Sequence, residues 1–214
     1  AEAIREALSQ WSASDDRGGA AGGGGGFVFT SSGGVLAEDA GGVVDETSPV
    51  ADSPRTAVLL EAEQLVRSAG GTVLRLAGLY DTRRGAHAYW LKAGVVRGEP
   101  EGVLNLLHYE DAAGAVLAAL GEGAEGSGSC GARGELFLVS DGLPTTRLEI
   151  IEAARKASEF ADSAMPTFQL AEPPAGDAAV PSRSGKIYNL SRVHEVLQWR
   201  PRYASFASFM AAQR

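Results

Sequence analysis

Cysteine is almost absent from this 214-residue chain. Cys130 stands alone, so no disulfide framework can form within it. With only three histidines beside that one cysteine, the composition argues against a Cys/His zinc site. Basic residues are also scarce: Lys plus Arg is 19 against 27 Asp plus Glu, a net charge of −8. That balance lacks the electrostatic footprint of a general nucleic-acid or anionic-membrane binder. No run of 18 apolar residues occurs, so no segment reads as a membrane span. The first residues carry acids and no long apolar core. They read as neither a secretory signal nor an Arg/Ser-rich transit peptide. Glycine is plentiful, yet no Gly-x-Gly-x-x-Gly follows a predicted strand. A dinucleotide phosphate loop needs that placement, because the helix it opens supplies the N–H groups.

What remains is globular in composition, with 44% apolar and 21% charged residues, which excludes a disordered chain. Ile4, Leu8 and Trp11 recur at helical spacing, predicting a short amphipathic helix over 1–11. Residues 12–26 form a glycine-rich segment that reads as a flexible loop. A β-rich run over 27–30 predicts a buried strand ending at Ser31-Ser32-Gly33-Gly34. Residues 37–54 read as a long polar loop. Val58, Leu59, Ala62, Leu65 and Val66 predict a helix over 56–68, stopped by Gly70-Gly71. Strands follow over 72–76 and 135–139, and helices over 86–96, 111–120 and 146–157, the last capped by Thr145 or Thr146. A second Gly/Ser loop spans 122–134. The tail beyond Pro166 reads as irregular until a final helix near 191–197. Strand alternating with helix is the order of an α/β protein with a parallel sheet.

Several motifs recur in order: Phe27-Val28-Phe29-Thr30-Ser31-Ser32-Gly33-Gly34-Val35, Asp45-Glu46-Thr47-Ser48-Pro49 and Ser53-Pro54-Arg55. Glu61-Ala62-Glu63 and Val73-Leu74-Arg75-Leu76-Ala77-Gly78-Leu79-Tyr80 come next. Leu104-Asn105-Leu106-Leu107-His108-Tyr109-Glu110-Asp111 and the closing pair Gly185–Leu190 and Leu197–Tyr203 complete the series. In that order they resemble the extended short-chain dehydrogenase/reductase superfamily, of the NAD-dependent epimerase/dehydratase type. The resemblance implies a Rossmann-like doubly wound parallel sheet. It assigns residues 1–140 to the later part of that domain and 141–214 to a small C-terminal α/β substrate-type region packed on it. On the same pattern, the chain begins at the helix before the Thr-Ser-Ser strand. The main phosphate-binding loop is therefore expected outside it.

The resemblance also assigns roles. Ser32 matches the catalytic serine that holds the substrate oxygen. Thr30, Ser31, Gly78 and Leu79 match positions lining an NAD or NADP cofactor. Arg83, Arg84 and His108 match substrate-side positions, arginine being suited to a bidentate phosphate clamp. The residues themselves also admit plainer readings: a solvated basic turn for Arg83 and Arg84, and packing at a helix start for His108. Two positions depart from the pattern. The family's acid/base tyrosine is replaced by Arg55, and the lysine four residues later by Leu59. Arginine cannot exchange a proton at neutral pH, and leucine donates nothing. The chain thus reads as a divergent NAD(P)-binding epimerase, dehydratase or reductase relative with degenerate catalytic positions. The competing reading is a non-enzymatic structural or assembly subunit of a larger complex. Expected partners are accordingly a small-molecule substrate or other protein subunits. A soluble intracellular location is expected, in the cytoplasm or an organelle such as the chloroplast stroma. Arg75, inside an apolar strand, should need a carboxylate partner. Cys130 reads as a bystander in its loop, and Trp199-Arg200-Pro201-Arg202-Tyr203 as a tail packed on the sheet.

Overall fold

The computed structural model describes residues 2–15, 26–121, 132–170 and 184–213. The elements are α1 (Glu2–Asp15), β1 (Val28–Ser32), β2 (Ala40–Val44), α2 (Pro54–Ser68), β3 (Thr72–Leu76), β4 (Gly78–Tyr80), α3 (Ala86–Ala93), β5 (Val95–Arg97), β6 (Val103–Leu104) and β7 (Leu106–His108). They continue with α4 (Tyr109–Leu120), β8 (Leu136–Val139), β9 (Thr145–Thr146), α5 (Arg147–Ala154), β10 (Thr167–Gln169), β11 (Gly185–Tyr188), α6 (Ser191–Val196) and α7 (Phe206–Ala211). Cys130 and most of the first glycine-rich segment lie outside the described residues.

The central sheet is parallel, in the order β1-β3-β8. β3 is buried along nearly its whole length and β8 along all of it. Burial on both faces explains why neither strand alternates apolar with exposed polar residues. Helix α2 crosses from β1 to β3, and α4 lies between β3 and β8 in the chain. The outer edge of β8 is closed by a side chain, since the Leu138 amide donates to Glu46 Oε1 at 2.9 Å. Val73, Leu74, Phe137 and Leu138 are fully buried. The main core carries on into Leu190, Val193 and Trp199, so the closing segment packs on the sheet. No helix of the described residues is long and apolar enough to cross a membrane.

Three expectations change. The polar loop over 37–54 contains β2, whose glycines gave no strand signal. β2 exists because β11 pairs with it in parallel, Tyr188 opposite Val44. The described part of the tail after Pro166 carries two strands: β10 pairs with β5, and β11 lies between β2 and β6 in a four-stranded sheet. Helix α3 ends at Ala93, where Gly94 turns left-handed (φ 68°), and the apolar residues beyond it form β5 instead. These strands are short and their partners lie far along the chain, so periodicity alone could not find them.

The C-terminal segment is held by charge-assisted bonds to buried groups. The Arg202 and Tyr203 amides donate to the Asp111 carboxylate at 2.7 and 3.1 Å. Behind it, His108 stacks within 4.1 Å of Tyr203 and 4.6 Å of Phe209. Asp141 lies at the same junction, 6% exposed. Burial pushes its carboxyl up to about 7, against the Leu143 and Phe206 amides that favour the charge. Its folded value therefore exceeds the ordinary 3.8. The stability contributed by a neutral Asp141 is fully present below about pH 4 and is lost as pH rises to about 7. Asp141→Asn is expected to abolish that dependence and to raise stability at pH 8 by up to about 4 kcal/mol. Thermal melts of both proteins from pH 4 to 8 provide the check: parallel curves would refute the assignment.

Candidate functional site

Strand β1 ends in three hydroxyls that alternate in direction, as successive strand residues must. Thr30 is exposed, Ser31 buried and Ser32 half-buried. Helix α2 begins beside them. Ser53 caps it, its Oγ accepting the Thr56 amide at 3.1 Å, and Pro54 occupies the first turn, where a missing N–H costs nothing. Arg55, Leu59 and Glu63 follow at four-residue steps, so they share one face of α2. That face lies over β1.

Ser31 is opposite Arg75 in the β1/β3 register. Glu63 reaches down between them. Ser31 Oγ donates to Glu63 Oε1 at 2.5 Å. Arg75 Nε donates to Glu63 Oε1 at 3.0 Å and Nη2 to Oε2 at 2.7 Å, a bidentate pair. Both charged side chains are about 5% exposed or less. The carboxylate partner that Arg75 demanded is therefore Glu63. Arg75 Nη1 has no hydrogen-bond partner. Its charge faces Tyr188 closely enough to counter, in part, the burial that pushes the Tyr188 phenol up to about 12. Tyr188 also backs the turn after Ser32. A Cβ on Gly33 would lie 1.7 Å from its hydroxyl oxygen, so any larger residue there must displace the Tyr188 ring.

A cavity of about 510 Å³ opens at this point, lined by Thr30, Ser31, Ser32, Arg55, Val58 and Leu59. It thus brings Ser32, Thr30 and Ser31 together with Arg55 and Leu59. It sits at the carboxyl end of a parallel strand, where open α/β sheets bind their ligands. Ser32 Oγ accepts the Gly34 amide at 3.1 Å, and its own proton has no acceptor among the described residues. Arg55 is exposed and has no ion pair or hydrogen bond among them. A second cavity of about 490 Å³ lies between Arg67, Glu135 and α6. Its arginines are engaged, Arg192 with Glu135 and Arg67 with the Gly134 carbonyl.

The other predicted positions lie elsewhere. Gly78 and Leu79 are on β4, paired with Leu106 and Leu107 of β7, and do not line the cavity. Arg83 and Arg84 sit on an exposed turn built on Asp81, whose Oδ1 accepts both their amides at 2.7 Å. Arg83 pairs with Glu159 at 3.4 Å, and Arg84 lies over the Tyr109 ring. His108 is 5% exposed and caps α4, its Nδ1 accepting the Glu110 amide at 3.2 Å. Sequence reading missed Glu63 and Tyr188 as supports of the site. The signal for Glu63 was an acid on the sheet-facing side of an amphipathic helix. Tyr188 left none. No cluster of potential metal ligands occurs among the described residues.

No family model and no curated protein sequence matches the chain. Solved structures do. The UDP-glucuronic acid 4-epimerase of Bacillus cereus, in complex with NAD, superposes with a TM-score of 0.67 at 20% identity, over 88% of this chain and 59% of that one. The UDP-glucose 4-epimerase of Thermotoga maritima matches at 0.63 and 22%, over 89% and 62%. The dTDP-glucose 4,6-dehydratase of Bacillus anthracis, in complex with NAD, matches at 0.62 and 15%, over 88% and 60%. The chain therefore has the Rossmann-like fold of these epimerases and this dehydratase. It spans about three-fifths of the length of the structures it matches.

Proposed function

We propose that this chain is a divergent NAD(P)-binding protein of the epimerase, dehydratase or reductase type, in which tyrosine-dependent proton transfer has been replaced. One observation carries the reading: a single cavity gathers Ser32, Arg55 and Leu59. The hydroxyls of Thr30, Ser31 and Ser32 suit the amide end of a nicotinamide, which needs both donors and acceptors. When bound, such a cofactor supplies hydride chemistry. Leu59 offers nothing to a ribose hydroxyl, and Arg55 holds its proton throughout the physiological range. Ser32 is left as the group that orients a ligand oxygen. Calorimetric titration of the full-length protein with NAD and NADP tests the reading. Binding of one of them is expected, and no binding of either at millimolar concentration would overturn it.

The same replaced pair supports a second reading, a non-enzymatic subunit of a larger assembly. That reading expects co-purification with a stoichiometric partner from the native source. A monodisperse monomer that transfers hydride would exclude it.

A further inference from the structure

We infer that the cavity at the end of β1 is a receptor for a small oxyanion-bearing polyol, with Arg55 as its specificity-determining residue. This deepens the functional reading above and rests on the same site. The charges of the cavity wall carry the argument. Thr30, Ser31, Ser32, Arg55, Val58 and Leu59 line it, and Arg55 is the one ionisable residue among them. A guanidinium stays charged at any physiological pH and presents a planar fork that matches a carboxylate or phosphate. Most buried or half-buried arginines here are engaged: Arg75 by Glu63, Arg147 by Ser184 and the Glu99 carbonyl, Arg155 by the Ser163 carbonyl. Arg55 has no such partner among the described residues. Glu63, which accepts from the lining residue Ser31, is 3% exposed and already paired with Arg75. Nothing in the wall therefore competes with an incoming anion.

The hydroxyls define the rest of the ligand. Ser31 spends its proton on Glu63, so toward the cavity it can only accept. Ser32 accepts the Gly34 amide, so its proton is free to donate. A ligand that satisfies all three groups carries an oxyanion for Arg55 and Ser32 and a neighbouring hydroxyl for Ser31. Val58 and Leu59 offer an apolar wall to its carbon skeleton. About 510 Å³ accommodates a molecule of monosaccharide size.

The test uses the full chain and three probes of one skeleton: D-glucuronate for a carboxylate, D-glucose 6-phosphate for a phosphate, and neutral D-glucose. Titration calorimetry is expected to show binding of at least one anion, with D-glucose about tenfold weaker or more. Arg55→Ala should weaken the anion about tenfold or more, and Arg55→Lys by less, since the charge survives but the fork is lost. Because Arg55 is exposed, neither variant should shift the melting temperature, and this is measured alongside. Equal affinity for glucose and the anions, or an Arg55→Ala protein that binds the anion unchanged, would overturn the inference. So would failure of all three probes in a protein that binds NAD or NADP. Anion binding without dinucleotide binding would uphold it while removing the dinucleotide reading.

Discussion

Arg75→Leu is expected to destabilise the protein by about 3–5 kcal/mol, the cost of leaving a buried charge without its partner. Glu63 and Arg75 are both almost fully enclosed, and two of the bonds between them form one bidentate contact. Removing the guanidinium strands a carboxylate beneath Ser31, where water cannot reach it. The paired substitution separates a stranded charge from lost packing. Glu63→Leu with Arg75→Leu replaces both ions by apolar groups, and such swaps are often close to neutral. Urea unfolding of both singles and the double should therefore show strong coupling, the double being more stable than Arg75→Leu alone. Additive losses would mean that the pair contributes through packing only. A functional readout accompanies the stability one. Without Glu63, the Ser31 hydroxyl can donate as well as accept toward the cavity, so the double variant should lose discrimination between ligand groups that donate to Ser31 and groups that accept from it.

Gly185→Ala is expected to cost on the order of 3 kcal/mol or more, because strain and collision coincide there. Gly185 has φ 101°, a conformation that L side chains rarely adopt, and an added Cβ would lie 2.1 Å from the Val103 carbonyl oxygen. The obstacle is backbone, so no rotamer change relieves it. Gly185 is opposite Ala40 on one side and Val103 on the other, at the middle of the four-stranded sheet. Displacing it should loosen β11, and with it the Lys186 ammonium on the Leu36 carbonyl (2.6 Å) and Tyr188 behind Gly33. Ligand affinity at the β1 cavity should fall together with the melting temperature. Gly70→Ala is the control. Its φ is 84°, yet nothing lies within 4 Å of an added Cβ, so about 1 kcal/mol is expected. Equal losses at the two glycines would show that the collision at Gly185 is relieved by backbone movement.

The strands of the central sheet were readable because each holds a short β-rich run: residues 27–30, 72–76 and 135–139. The helices α2, α4 and α5 were readable because their apolar spacing and end signals agree. Gly70-Gly71 after Ser68 and a threonine cap at 145 or 146 are chemistry that acts within a few residues. The order of motifs likewise pointed to the fold of the epimerases and dehydratases. β2, β10 and β11 were not readable. They are short and rich in glycine or polar residues, and they become strands only through partners such as Val44 for Tyr188. The same holds for the site. Local sequence named Ser32, Arg55 and Leu59 separately, but a shared cavity needs α2 laid across β1. Whether Ser31 donates or accepts depends on Glu63, which lies 32 residues away in the chain. Turn and cap chemistry is decided among neighbours, whereas buried charge pairing and hydroxyl direction arise only once distant segments exclude water from one another.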